Sequence, residues 1–163
     1  MKLFTKKNSI PIIHDDIFNH IERYVRDNVK GCSVIVPHVC NNVNVFGAGF
    51  AAAVARHYPI VKENYHLLGP KFLKTNLGYT QFVEVYKNTQ TGNKLIFANM
   101  IAQNGTISQS NPRPLNYYSL TKCMSGILNY IYNHLNQDIE TQIHAPKFGC
   151  GLAGGNWNFV EEL

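Results

Sequence analysis

Two glycine-rich stretches carry the residue types best suited to chemistry in this sequence. The first runs Asn42-Val43-Asn44-Val45-Phe46-Gly47-Ala48-Gly49-Phe50-Ala51 and the second Phe148-Gly149-Cys150-Gly151-Leu152-Ala153-Gly154-Gly155. Glycine lacks the Cβ that would keep an anion away from main-chain N–H groups, and a helix that follows such a turn adds the positive end of its dipole. A diphosphate is the ligand such turns suit. Either stretch alone reads equally well as a tight structural turn, but two of them, each after a buried strand, argue for binding.

Other reactive residue types cluster ahead of the first stretch, in His38-Val39-Cys40-Asn41-Asn42. The imidazole of His38 can exchange protons near neutral pH, which makes it the candidate general acid or base. The competing reading is a histidine hydrogen-bonded to support the loop. Cys40 has no evident acidic or basic partner, so it reads as a small buried hydrophobe, and Cys150 reads the same way. Asn42 and Asn44 are natural turn formers as well as candidate donors to a ligand. Gly47-Ala48-Gly49-Phe50-Ala51-Ala52 satisfies G-x-G-x-x-A, the pattern of a dinucleotide-binding turn. Its context is poor: the preceding strand is expected to end near Val36, and the window about twenty residues on, where that motif needs an acidic ribose ligand, holds Lys71 and Lys74.

The elements that would position these residues follow from periodicity. Ile10-Pro11-Ile12-Ile13 reads as a short strand, and Asp16 can cap a helix to about Asp27 with Ile17, Ile21, Tyr24 and Val25 inward. The β-branched run Cys32–Val36 has the pattern of a buried strand leading to the polar turn at His38–Asn42. A helix is expected from about Gly49, and Pro59 opens another that ends at Gly69-Pro70. Tyr79–Tyr86 and Leu95–Ile101 read as adjacent strands. From Tyr117 to Leu135, the residues Leu120, Met124, Ile127, Leu128, Ile131 and Leu135 recur at helical spacing. Ile143-His144-Ala145-Pro146 reads as a strand end, and a helix starts at Trp157. Alternating strands and helices imply a layered α/β fold with a largely parallel sheet.

Composition narrows the function classes. The 163 residues, 45% hydrophobic and 15% charged, suit one globular domain. The net charge of +5 favours small anionic ligands without forming the basic stripe of a dedicated nucleic-acid binder. The four cysteines form no C-x-x-C pair, which argues against structural zinc and a disulfide framework and fits a reducing cytoplasmic setting. The start Met1-Lys2-Leu3-Phe4-Thr5-Lys6-Lys7-Asn8 lacks the apolar core of a signal peptide, and no stretch has the length of a membrane span.

Taken together, His38-Val39-Cys40-Asn41-Asn42, Gly47-Ala48-Gly49-Phe50-Ala51, Arg56-His57-Tyr58-Pro59 and Tyr65 resemble the first half of macro domains of the type that processes ADP-ribose 1''-phosphate. Ala98-Asn99-Met100-Ile101-Ala102-Gln103 is similar to that family's second-half strand, and Pro112-Arg113-Pro114-Leu115-Asn116-Tyr117 to the approach to its long helix. Pro146 to Trp157 is similar to its second phosphate loop. The resemblance covers about Ile10 to the C-terminus. It implies a single macro domain over residues 1–163, with a three-layer α/β/α fold and a mixed, largely parallel central sheet.

The resemblance also implies a ligand, ADP-ribose or a derivative, with no cofactor or metal. Asp16 would receive the adenine amino group with Ile17 beside it, although a helix cap explains Asp16 equally well. Asn42 and Asn44 would face the distal ribose. The backbones of Gly47, Ala48, Gly49 and Phe50, and of Gly149, Cys150, Gly151 and Leu152, would cradle the diphosphate. Hydrolysis of a terminal derivative such as ADP-ribose 1''-phosphate, with His38 as acid or base, is one implied activity. A non-catalytic reader of ADP-ribosylated protein or nucleic acid is the alternative, as is an ADP-ribosyl hydrolase acting on modified protein or DNA. A related branch uses a lysine and an aspartate where this chain has Gln103 and Ala153, and neither can form a Schiff base or act as a carboxylate base. Asn156 likewise stands where relatives often carry aspartate. The family usually extends beyond the helix near Trp157 with a final strand, so an ending at Glu161-Glu162-Leu163 is expected to leave that region shortened.

Overall fold

Continuous burial on both faces marks two strands as the centre of the sheet. In the computed structural model, which describes residues 10–163, these are β1 (Cys32–Asn41) and β3 (Lys94–Gln103), paired in parallel with His38 beside Asn99. β2 (Thr80–Lys87) joins the outer edge of β3 antiparallel, and β4 (Glu140–Ile143) joins β1 in parallel. Among the described residues the sheet order is β2-β3-β1-β4, so it is mixed with a parallel centre.

Alternation along β1 divides the core. Val34, Val36 and Cys40 turn to one face, where they meet α1 (Ile17–Asp27), α2 (Gly49–His57) and α3 (Pro59–Leu67) through Phe18, Ile21, Val54, Val61 and Tyr65. Ile35 turns to the other face with Ile96, Ala98 and Met100 of β3, against Leu120, Cys123 and Ile127 of α5 (Tyr117–His134). Helices on both faces of one sheet make the expected three-layer α/β/α arrangement.

Asp16 caps α1 by accepting from Asn19 N at 2.9 Å, and Asn116 caps α5 by accepting from Ser119 N at 2.8 Å. Both helices then bury residues at spacings of three and four. Leu128 departs from the expected inner stripe of α5 and is 64% exposed. No helix of the described residues is long and apolar enough to cross a membrane.

Three expectations change. Ile10–Ile13 forms no strand and lies exposed, although the outer edge of β4 carries no further strand among the described residues. β1 does not stop at Val36: pairing with β3 continues to Asn41, which turns the expected polar turn at His38 into strand. Gly69-Pro70 ends α3 and also opens α4 (Gly69–Thr75), since proline fits the first turn of a helix where its missing N–H is not needed.

Candidate functional site

The carboxyl end of β1 delivers an asparagine pair that builds the first loop. The Oδ1 of Asn41 accepts from Val43 N (3.0 Å), Val45 N (3.2 Å) and the Tyr65 hydroxyl (2.9 Å), while its Nδ2 donates to Val45 O at 2.6 Å. One side chain therefore satisfies the backbone of a turn that has no ladder partner. Asn42 points across to the loop after β3: Nδ2 donates to Asn104 Oδ1 (3.1 Å) and Oδ1 accepts from Gly105 N (2.8 Å). Asn44 sits at φ 61, a conformation that asparagine tolerates better than most residues, and its Oδ1 is 2.8 Å from His66 Nδ1.

Beyond this turn the chain presents main-chain donors. The N–H groups of Gly47, Ala48, Gly49 and Phe50 find no acceptor among the described residues, and the last two open the first turn of α2. In the second loop the same holds for Gly151, Leu152 and Ala153. The two loops meet at one point: Gly49, at φ +55, would carry a Cβ 3.4 Å from Leu152 Cδ1. Phe50 turns inward and stacks on Phe18 of α1, with ring centroids 5.6 Å apart.

The second loop is held tightly at its base and open at its tip. A Cβ on Gly155 would lie 2.5 Å from both Gly149 O and Leu115 Cδ2, so only glycine allows this approach. Gly151 and Gly47, in contrast, have no heavy atom within 4 Å of a built Cβ. Behind the tip lies a cavity of about 730 Å³, bordered by Cys150 and Gly151 on the loop and by Arg113, Tyr117, Lys147 and Trp157 around it.

His38 lies beneath the first loop. It is 2% exposed and boxed by Phe46, Phe50 and Phe97 at ring-centroid distances of 5.7, 5.8 and 6.4 Å. Burial in this aromatic box pushes its pKa down to about 4, with Asn99 beside it opposing the shift. Its Nε2 and the Oδ1 of Asn99 are both buried without a hydrogen-bond partner. Cys40 lies 3.8 Å from His38 Nδ1, and burial holds its thiol well above the ordinary range; Cys150 shifts the same way for the same reason. Neither is poised as a thiolate. Among the described residues no group of three or more His, Cys, Asp or Glu could hold a metal ion.

No family model matches the chain. Its sequence is 28% identical over 128 residues to an uncharacterized 17.5 kDa protein in the tk-vs intergenic region of Enterobacteria phage T4, covering 78% of this chain and 76% of that one. Among solved structures, a macrodomain protein from Streptomyces coelicolor superposes with a TM-score of 0.60 at 29% identity, over 83% of this chain and 79% of that one. The chain has the macro domain fold. DarTG of Thermosipho africanus, solved in complex with ADP-ribose, shares this fold at a TM-score of 0.59 and 17% identity, over 77% of this chain and 32% of that one.

Within this fold, the expected site residues fall into three places. Gly47, Ala48, Gly49 and Phe50 meet the second loop, formed by Gly149, Cys150, Gly151 and Leu152, at the Gly49–Leu152 contact. Asn42 and Asn44 stand on the turn between β1 and Gly47, Asn42 tied to Asn104 and Gly105 and Asn44 to His66. Asp16 and Ile17 begin α1, joined to the first loop through the Phe18–Phe50 stack. One Asp16 oxygen is used in capping, and the other has no partner among the described residues.

Sequence reasoning missed several contributors. Asn41, 8% exposed, organises the first loop, yet its type and position also suited an ordinary turn residue. His66 lies on α3, and no spacing in the sequence ties it to Asn44. Gln103 donates to Gly105 O at 3.0 Å, and Ala153 is buried with its carbonyl accepting from Leu115 N, so both serve the backbone of the site.

Proposed function

We propose that this macro domain binds ADP-ribose or a terminal derivative of it across the two loops. The observation that carries the reading is the pair of N–H rows, Gly47–Phe50 and Gly151–Ala153, which lack internal acceptors and belong to loops in contact at Gly49 and Leu152. Unpaired main-chain donors suit a charge spread over a diphosphate, and the start of α2 adds to their field. The fold shared with DarTG, whose structure holds ADP-ribose, supports the same ligand. In this reading the diphosphate lies on the loop backbones, the distal ribose at Asn42 and Asn44, and the adenine near Asp16 and Ile17.

Isothermal titration with ADP-ribose tests it, with Gly47→Ala and Asp16→Ala as variants. Saturable binding weakened by both supports the assignment, and absence of binding to the wild type refutes it.

A second reading, hydrolysis of a derivative such as ADP-ribose 1''-phosphate, is favoured by the Asn44–His66 pair at the distal-ribose end. His66 is half-buried there, whereas His38 is enclosed and neutral at neutral pH. We assign His38 to supporting the loop through its aromatic contacts and His66 to proton exchange if water attacks the terminal group. Phosphate release by the wild type, lost in His66→Ala and retained in His38→Leu with binding intact, is the expected result. The reverse pattern returns the chemistry to His38.

A further inference from the structure

The cavity behind the second loop has the features of a site in its own right. Arg113, on the segment before α5, and Lys147, before the loop, both border it, as do Tyr117 and Trp157. Neither cation has an ion-pair partner among the described residues, and no acidic side chain borders the cavity. Lys147 Nζ sits 5.8 Å from the centroid of the Trp157 ring, which places it over an aromatic face, and its N–H groups find no acceptor among the described residues. The Tyr117 hydroxyl accepts from Asn156 N at 2.9 Å, so its own proton remains available to donate.

The walls are fixed. A Cβ on Gly154 would meet Pro112 O at 3.0 Å and the Cα of Arg113 at 3.2 Å, so the loop base packs directly on the segment that carries the arginine. The depression of about 530 Å³ on the outer face of α1 differs in kind, because its arginines pair with carboxylates: Arg23 with Asp15 and Arg26 with Glu22.

We infer that this second cavity is a binding site for a phosphate monoester dianion, held between Arg113 and Lys147 with Tyr117 donating to it. A guanidinium fork and an ammonium that border one pocket match an anion that offers several acceptor oxygens. At about 730 Å³ the cavity also falls within the range of sites that hold whole small molecules, roughly 300–1,000 Å³, so a nucleotide can enter behind its phosphate. The site shares Cys150 and Gly151 with the diphosphate loop but none of Asp16, Asn42 or Asn44, and its occupancy does not depend on the ADP-ribose reading.

Trp157 is the single tryptophan of the chain, so its fluorescence reports this cavity directly. Inorganic phosphate, AMP and adenosine are titrated separately against the wild type and against the double variant Arg113→Gln, Lys147→Gln, both exposed positions whose replacement spares the core. The expected result is a saturable emission change with phosphate or AMP, none with adenosine, and at least a tenfold weakening in the double variant. Equal affinities for phosphate and AMP identify the anion alone as the ligand, whereas tighter AMP binding identifies a nucleotide source. No saturable change with either phosphate or AMP, or undiminished binding by the double variant, overturns the proposal. Calorimetry with ADP-ribose on the wild type separates the two sites: absence of ADP-ribose binding alongside a saturable Trp157 response to phosphate or AMP refutes only the function proposed above.

Discussion

Truncating Asn41 to alanine removes four hydrogen bonds at once: those accepted from Val43 N, Val45 N and the Tyr65 hydroxyl, and the one given to Val45 O. A net bond contributes about 0.5–1.5 kcal/mol, and an orphaned buried group costs more. Two features reduce the loss here. The Tyr65 hydroxyl keeps Asn41 O at 2.9 Å, and Val43 and Val45 are 47% and 51% exposed, so water can reach their amides. The expected destabilisation is therefore about 2–4 kcal/mol, or roughly 5–12 °C in Tm for a chain of this length.

The same change unfastens the turn that leads into Gly47, so ADP-ribose affinity should fall at least about tenfold, equivalent to about 1.4 kcal/mol. Asn41→Asp keeps the acceptor oxygen but sets a carboxylate oxygen where Nδ2 donated to Val45 O at 2.6 Å, so repulsion adds to the lost bond and this variant too should stay well below the wild type. Thermal unfolding and isothermal titration on the three proteins measure both effects. An alanine variant with unchanged Tm and unchanged affinity would refute the reasoning, because the loop would then hold its shape without Asn41.

Gly155→Ala forces a Cβ to within 2.5 Å of Gly149 O and Leu115 Cδ2, and overpacking of this kind should cost about 1–3 kcal/mol in urea unfolding. Gly47→Ala meets nothing within 4 Å, so its stability should match the wild type while ADP-ribose binding weakens several-fold in calorimetry, because the new methyl keeps the ligand from the backbone. With its folded pKa pushed down to about 4 against an ordinary 6.5, His38 stays neutral where the unfolded chain takes up a proton. Its contribution is intact above pH 6.5 and is lost as pH falls towards 4, by about 3 kcal/mol in full. Unfolding free energies measured across that window should fall less steeply in His38→Leu than in the wild type.

Local pattern made the helices and the glycine loops legible. The 3.6-residue repeat from Leu120 to Ile131 marks α5 and its inner face, because a buried stripe must recur at that period. It fails at Leu128, which sits at the border of the stripe, where apolar residues occur on either side. The loops were readable because glycine at close approaches leaves a compositional trace, and the contacts of Gly149 and Gly155 account for why no other residue would serve. What periodicity does not carry is partnership. Nothing in Ile10–Ile13 says that no strand will pair with it, and nothing near His38 says that β3 will pair with β1 as far as Asn41. Likewise the Asn41–Tyr65 and Asn44–His66 bonds join residues 24 and 22 positions apart, and only the docking of α3 on the sheet brings them together.

The length of β1 is what decides the place of His38. Had the strand ended at Val36, His38 would have stood in the loop with its imidazole free to approach a ligand. Because β1 continues, His38 keeps the parity of Val34, Val36 and Cys40, and its ring is driven into the layer between the sheet and α2. There it contacts Phe46 and Phe50, the two aromatic residues that bracket Gly47 and Gly49. A neutral ring under both ends of this segment can hold the backbone donors at one height above the sheet, and a charged ring in the same box would have no counter-ion. Burial therefore removes proton exchange from the one residue whose chemistry was most apparent in the sequence and leaves it packed beneath the first glycine loop. His66, half-buried on α3, meets Asn44 through a left-handed backbone conformation that few side chains would accept at that position.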